Sequence, residues 1–136
     1  MIAFFDSCAL IYLIEGNEPF ASGVRKQLAD IVQTDPDLQV AVSRLSWLEC
    51  RVGPMKKNNM SVLAQYDAFF ARSDLIWVEV SQDVIELATA IRVRHGLRTP
   101  DALQAASCLQ LGSNHLMLTG DAIFRRVQGL AVALLK

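Results

Sequence analysis

Unbroken apolar runs punctuate this chain, and between them apolar positions recur at helical spacing. Met1 to Phe5 is apolar throughout and is closed by Asp6. Such a run suits a strand buried on both faces, as in a parallel sheet covered by helices. Leu38-Gln39-Val40-Ala41-Val42, Leu75-Ile76-Trp77-Val78, His115-Leu116-Met117-Leu118 and the segment Leu130 to Leu135 read as further strands. Each gap holds a helical pattern. Ser7 to Ile14 enters a helix directly from the first strand. Asn17-Glu18-Pro19 offers a cap and a first-turn proline, and Val24, Leu28 and Ile31 then fall at i, i+4, i+7, to about Gln33. Asp35-Pro36-Asp37 is a turn.

After the second strand, Ser43 caps a helix through Arg51, which Gly53-Pro54 is expected to end. Met55 to Met60 reads as a polar, basic connection. Ser61 then opens a helix with Val62, Tyr66, Phe69 and Phe70 on one face. Ser81 and Asp83 start another, striped by Val84, Leu87, Ala88 and Ile91 and stopped by Gly96. Thr99-Pro100-Asp101 is a strong helix start, with the Thr99 hydroxyl as cap, proline at the first position and an acid in the first turn; Ala102, Ala105, Ala106 and Leu109 share one face. A short helical turn follows Asp121. Strands separated throughout by helices predict an α/β fold, a central parallel sheet of about five strands with helices on both faces.

The length, 136 residues, fits a single domain over residues 1–136. An apolar fraction of 52% with 20% charged residues excludes a disordered chain. No apolar run reaches the roughly 20 residues of a membrane helix. No basic region precedes the first apolar run, so a signal peptide is not expected. Cys8, Cys50 and Cys108 are odd in number and form no C-x-x-C pair. They read as small buried apolar residues in a reducing cytoplasm.

Four acids stand out by position. Asp6 and Asp121 follow predicted strands, Asp101 lies in the first turn of a helix, and Glu49 lies within the helix after the second strand. Open α/β sheets place ligands outside the carboxyl ends of their strands, where these acids can converge. Each also has a plainer reading: Asp6 as a helix cap, Asp101 as a dipole-stabilising residue, Glu49 as a solvated helix position. Clustered carboxylates repel unless a cation joins them. Oxygen donors without His or Cys suit Mg²⁺ or Mn²⁺. Such an ion lowers the pKa of a bound water and offsets charge on a phosphodiester. With these four set aside, 13 basic residues face 10 acids, a balance compatible with a polyanionic substrate.

Read together, the four segments resemble PIN-domain ribonucleases, and among them the VapC-type toxins of toxin–antitoxin pairs. The matching stretches are Phe5-Asp6-Ser7-Cys8-Ala9-Leu10-Ile11, Glu49-Cys50-Arg51-Val52-Gly53-Pro54, Leu97-Arg98-Thr99-Pro100-Asp101-Ala102-Leu103, and Thr119-Gly120-Asp121 with Phe124 and Gly129-Leu130-Ala131-Val132. The resemblance implies a three-layer PIN-like fold and endonucleolytic RNA cleavage dependent on Mg²⁺ or Mn²⁺. It also implies homodimerisation and inhibition by a cognate VapB-type antitoxin. By position, Asp6, Asp101 and Asp121 would hold the metal. Glu49 would act through water or orient the attacking water. Ser7 and Thr119 would hydrogen-bond those carboxylates. Two departures stand out: Cys8, where many relatives carry Asn or another polar residue, and Ile123, where many carry a further acid.

Arg98 and Arg125, with Arg126, are candidate contacts to RNA phosphate; ordinary exposed arginines are the competing reading. His95 and His115 lack partners at metal-ligand spacing and read as structural, and Trp47, Phe69 and Phe70 as core or interface. Two other functions compete. One is a PIN-fold interaction module that has lost catalysis, against which the intact acids argue. The other is a phospho-acceptor domain, which lacks support in the absence of paired acids at the first strand end and of a lysine closing a late strand.

Overall fold

The computed structural model describes residues 1–135. Five parallel strands form one sheet in the order β3-β2-β1-β4-β5. They are β1 (Ile2–Phe5), β2 (Gln39–Ser43), β3 (Leu75–Val78), β4 (His115–Thr119) and β5 (Val132–Leu134). The helices are α1 (Ser7–Glu15), α2 (Phe20–Thr34), α3 (Arg44–Lys56), α4 (Met60–Phe70), α5 (Gln82–His95) and α6 (Thr99–Leu109), with a short 3-10 helix at Ala122–Arg126.

The apolar strands are buried on both sides because alternate residues enter two different cores. Phe4, Ala41 and Met117 pack with Val84, Ala88 and Ile91 of α5 and Ala102, Ala105 and Ala106 of α6. Ala3, Phe5, Val42 and Leu118 pack with Ala9 and Leu10 of α1, Val24 of α2, Cys50 of α3 and Tyr66 and Phe70 of α4. The register agrees: Phe4 lies opposite Ala41 and Met117, and Phe5 opposite Val42 and Leu118. The sheet is therefore sandwiched between α1–α4 and α5–α6. Three alanines on α6, none of them accessible to solvent, let that helix lie close against the strands.

β1 occupies the centre; the chain runs from it to β2 and β3 on one side and then crosses to β4 on the other. The carboxyl ends of β1, β2 and β4 thus define a switch-point crevice. Asp6, Ser43 and Thr119 sit at those ends.

Local expectations needed correction at several helix ends. α2 begins at Phe20, with Pro19 in the cap position instead of the first turn. α3 runs through Gly53-Pro54 to Lys56. The carbonyls of Gly53 and Pro54 still accept from the N–H groups of Lys57 and Asn59, so the final turn survives the proline. Asn58, at φ 51°, changes the chain direction there. The expected long basic loop shrinks accordingly, and Asn59, not Ser61, caps α4 by accepting from Val62 N–H. Thr99 is the first residue of α6 and not its cap; its hydroxyl accepts from Arg92 Nη1 at 2.8 Å. His115 is structural: its Nδ1 lies 2.6 Å from the Gly112 carbonyl, and its Nε2 accepts from Ala131 N–H. No helix among the described residues is long and apolar enough to cross a membrane.

Candidate active site

Asp6 closes β1 and caps α1. Its Oδ1 accepts from Ala9 N–H at 2.8 Å, and its Oδ2 accepts from the Thr119 hydroxyl. The capping and pocket readings of this residue both hold. Burial pushes its carboxyl up to about 6; the Thr119 and Ala9 hydrogen bonds oppose that rise, and the negative charges of Asp101 and Glu49 add to it. Thr119 also accepts from Asp121 N–H at 3.1 Å, so a single hydroxyl links the ends of β1 and β4 to the fourth acid.

Glu49 projects from α3, one turn beyond Ser46. Its Oε1 accepts from the Ser7 hydroxyl at 2.7 Å and from Gln104 Nε2 at 3.1 Å. Asp101, in the first turn of α6, is half-buried. Burial raises its pKa, Arg98 beside it opposes the rise, and Asp121 and Glu49 reinforce it. Arg98 Nε lies 3.6 Å from Asp101 Oδ2 but is otherwise well exposed. Asp121 is exposed and caps the 3-10 helix through Oδ1, which accepts from Ile123 N–H at 3.0 Å.

All four acids line one cavity of about 370 Å³, together with Ser7, Cys8, Tyr12, Arg98 and Gln104. A larger, mainly apolar cavity of about 530 Å³ between α5 and α6 has no acid on its walls. Arg125 and Arg126 are exposed on the 3-10 helix and do not line the acidic cavity. Ile123, where the further acid of many relatives was expected, packs against the core shared by α5 and α6. Cys8 departs from the expectation of a buried apolar residue, because it is half-exposed and faces the acids. Burial foremost, and then Asp6, raises its thiol pKa, which keeps it protonated and weakly nucleophilic.

The donor set suits a hard divalent cation, being carboxylate and hydroxyl oxygen from four separate segments. As the side chains stand, no three His, Cys, Asp or Glu residues among the described residues are drawn together into a ready cluster. Both oxygens of Asp6 and Oδ1 of Asp121 accept one hydrogen bond each and keep a second lone pair for a ligand, whereas Glu49 Oε1 already accepts two.

Sequence reasoning missed Ser46, Tyr12 and Gln104. A signal existed for two of them. Ser46 and Glu49, and likewise Asp101 and Gln104, are spaced i, i+3 and so share a helix face. Tyr12 fills the space that Gly120 leaves: a Cβ at that glycine would fall 2.8 Å from both Tyr12 Cε2 and Oη. Its ring stacks on Phe20 with centroids 4.4 Å apart.

The PIN domain family model matches residues 3–130. The chain belongs to the PIN domain family. No curated protein sequence matches it. Solved structures resemble this PIN domain along nearly its whole length. VapBC2 from Rickettsia felis, bound to a DNA fragment from its promoter, aligns with a TM-score of 0.79 at 18% identity, covering 100% of both chains. A toxin–antitoxin complex from Klebsiella pneumoniae aligns at 0.68 and 27% identity, covering 96% of this chain and 95% of the other. VapBC-1 from nontypeable Haemophilus influenzae aligns at 0.75 and 18% identity, with 98% of each chain covered. At such identities the fold is what is shared. The five-stranded parallel sheet between two helical layers is the PIN architecture.

Proposed function

We propose that this PIN domain is a Mg²⁺- or Mn²⁺-dependent endoribonuclease, the toxin of a type II toxin–antitoxin pair. The observation that carries the reading is the single cavity lined by Asp6, Glu49, Asp101 and Asp121, which arrive from four separate segments of the chain. In this reading Asp6, Asp101 and Asp121 hold the ion, and Glu49 orients the attacking water or reaches the ion through water. Ser7 and Thr119 fix the carboxylates they bond. Arg98, exposed at the rim, meets substrate phosphate, and Arg125, exposed outside the cavity, is a second candidate contact. The bound ion would supply charge neutralisation at the phosphodiester and a more acidic water. The toxin–antitoxin complexes with which the fold aligns support an antitoxin partner; the reading carries with it an RNA substrate, a VapB-type antitoxin, a homodimer of single-domain subunits and a cytoplasmic setting.

Purified protein incubated with RNA and Mn²⁺ or Mg²⁺ tests this. Expected is internal cleavage that chelator abolishes and that Asp6→Asn removes without unfolding the protein. Cleavage surviving Asp6→Asn would overturn the assignment. Ion binding with no cleavage of any RNA would leave a PIN-fold binding module.

A further inference from the structure

Gln104 is buried to all but 3% of its surface, on a residue type that usually stays in water. It sits one turn beyond Asp101 on α6. Its amide nitrogen lies 3.1 Å from each of three oxygens: Ser7 Oγ, Ser46 Oγ and Glu49 Oε1. The two hydroxyls are 3.0 Å apart, and Ser7 also donates to Glu49 Oε1 at 2.7 Å. α1, α3 and α6 are thereby tied together around one carboxylate oxygen. The other oxygen, Oε2, makes no hydrogen bond among the described residues, on a side chain that lines the acidic cavity.

The opposite end of the same amide is informative. Gln104 Oε1 is buried without any hydrogen-bond partner, and it is the one such side-chain atom among the described residues. A buried acceptor left unpaired is destabilising, and a Leu or Met of similar size would avoid the penalty. Turning the amide end for end would place its oxygen against Glu49 Oε1, two acceptors with no proton between them. The amide is therefore oriented for the carboxylate at the expense of its own oxygen. Local stability does not account for that choice; a requirement on Glu49 does.

We propose that Gln104 is a positioning residue: with Ser7 and Ser46 it clamps Oε1 of Glu49 and leaves Oε2 as the working oxygen of the site. This rests on the nuclease reading for its catalytic consequence and on geometry alone for the clamp.

Two measurements separate those parts. In the ion-free protein, the side-chain amide protons of Gln104 are followed by ¹⁵N NMR in the parent and in Glu49→Gln. A hydrogen bond to a carboxylate deshields the donated proton, so an upfield move is expected in the variant. An unchanged resonance would overturn the clamp. With RNA and Mn²⁺, Gln104→Met should lower kcat by about tenfold to a hundredfold at unchanged KM. The double variant Glu49→Gln, Gln104→Met should be no slower than Glu49→Gln alone. Losses that multiply, or a change confined to KM, would overturn the positioning role. If Gln104→Met does not fold, Ser7→Ala and Ser46→Ala are read in the same cycle, with the same expectation and the same overturning result. If the parent cleaves no RNA, the nuclease reading fails, while the NMR result still decides the clamp.

Discussion

The hydroxyl of Thr119 at the end of β4 donates to Oδ2 of Asp6 at the end of β1, at 2.5 Å, across the central pair of the sheet. Thr119 is fully buried, and its bond stabilises the charged form of Asp6 against the burial that disfavours it. Thr119→Val keeps the shape and removes the donor. The expected result is an Asp6 pKa above about 6 and Mn²⁺ affinity at pH 7 lower by about tenfold, with a larger loss at pH 6. Calorimetric titration of the parent, Thr119→Val and Thr119→Ser checks this; the serine variant should bind as the parent does.

Asp6 also sets a pH dependence of stability. Its carboxyl is raised from 3.8 to about 6, so between those values the folded protein holds a proton that the unfolded chain has released. Stability from this group is therefore present at low pH and is lost as pH rises through the window, by about 3 kcal/mol at neutral pH. The raised Asp101 acts in the same direction. Asp35, Asp74 and Glu79 are shifted the other way by hydrogen bonds to the N-terminal amine, Arg72 and Arg44, so each variant is compared with its parent at a given pH. In chelator at pH 7.5, Asp6→Asn should raise the unfolding midpoint by several degrees, and at pH 4 it should have little effect. Thermal denaturation at the two pH values is the measurement.

Divalent ions should reverse that penalty. At about a hundred times its dissociation constant, an ion bound only by the folded state contributes about 2.7 kcal/mol. Mn²⁺ is expected to raise the unfolding midpoint of the parent and to have little effect on Asp6→Asn or Asp101→Asn. Differential scanning fluorimetry across a Mn²⁺ series reads it, and equal shifts in all three proteins would count against these ligands.

Gly120 is needed for the space it leaves and not for its backbone angle. An alanine there meets the far end of the Tyr12 side chain, which can swing, so Gly120→Ala should cost under about 1 kcal/mol of stability. The displaced ring narrows the acidic cavity that it lines. The expected result is a several-fold loss of kcat/KM on RNA with a near-parental melting temperature. Tyr12→Phe combined with Gly120→Ala should recover part of it, because the smaller ring edge relieves the contact at Oη.

The fold was legible because its signals are local. Apolar runs such as Ile2–Phe5 and Leu75–Val78 need no partner to announce a strand buried on both faces. The helix ends that went astray depend on bonds beyond their own motif: Pro54 stays in α3 because its carbonyl finds Asn59, and Thr99 is occupied by Arg92. Asp6, Asp101 and Asp121 were visible because strand ends and a proline-led helix start mark where they sit. Gln104 was not, because a polar residue beside an alanine stripe looks solvated until Ser7, 97 positions earlier, and Glu49 are folded against it.

The central place of β1 has a consequence for biosynthesis. β1 ends in Asp6, but its neighbour β4, with Asp121 just beyond, is made only after β2, β3 and α6. A nascent chain carries at most three of the four carboxylates until then, and its middle strand has one open edge. A site assembled this way is complete only once β4 has taken its place beside β1.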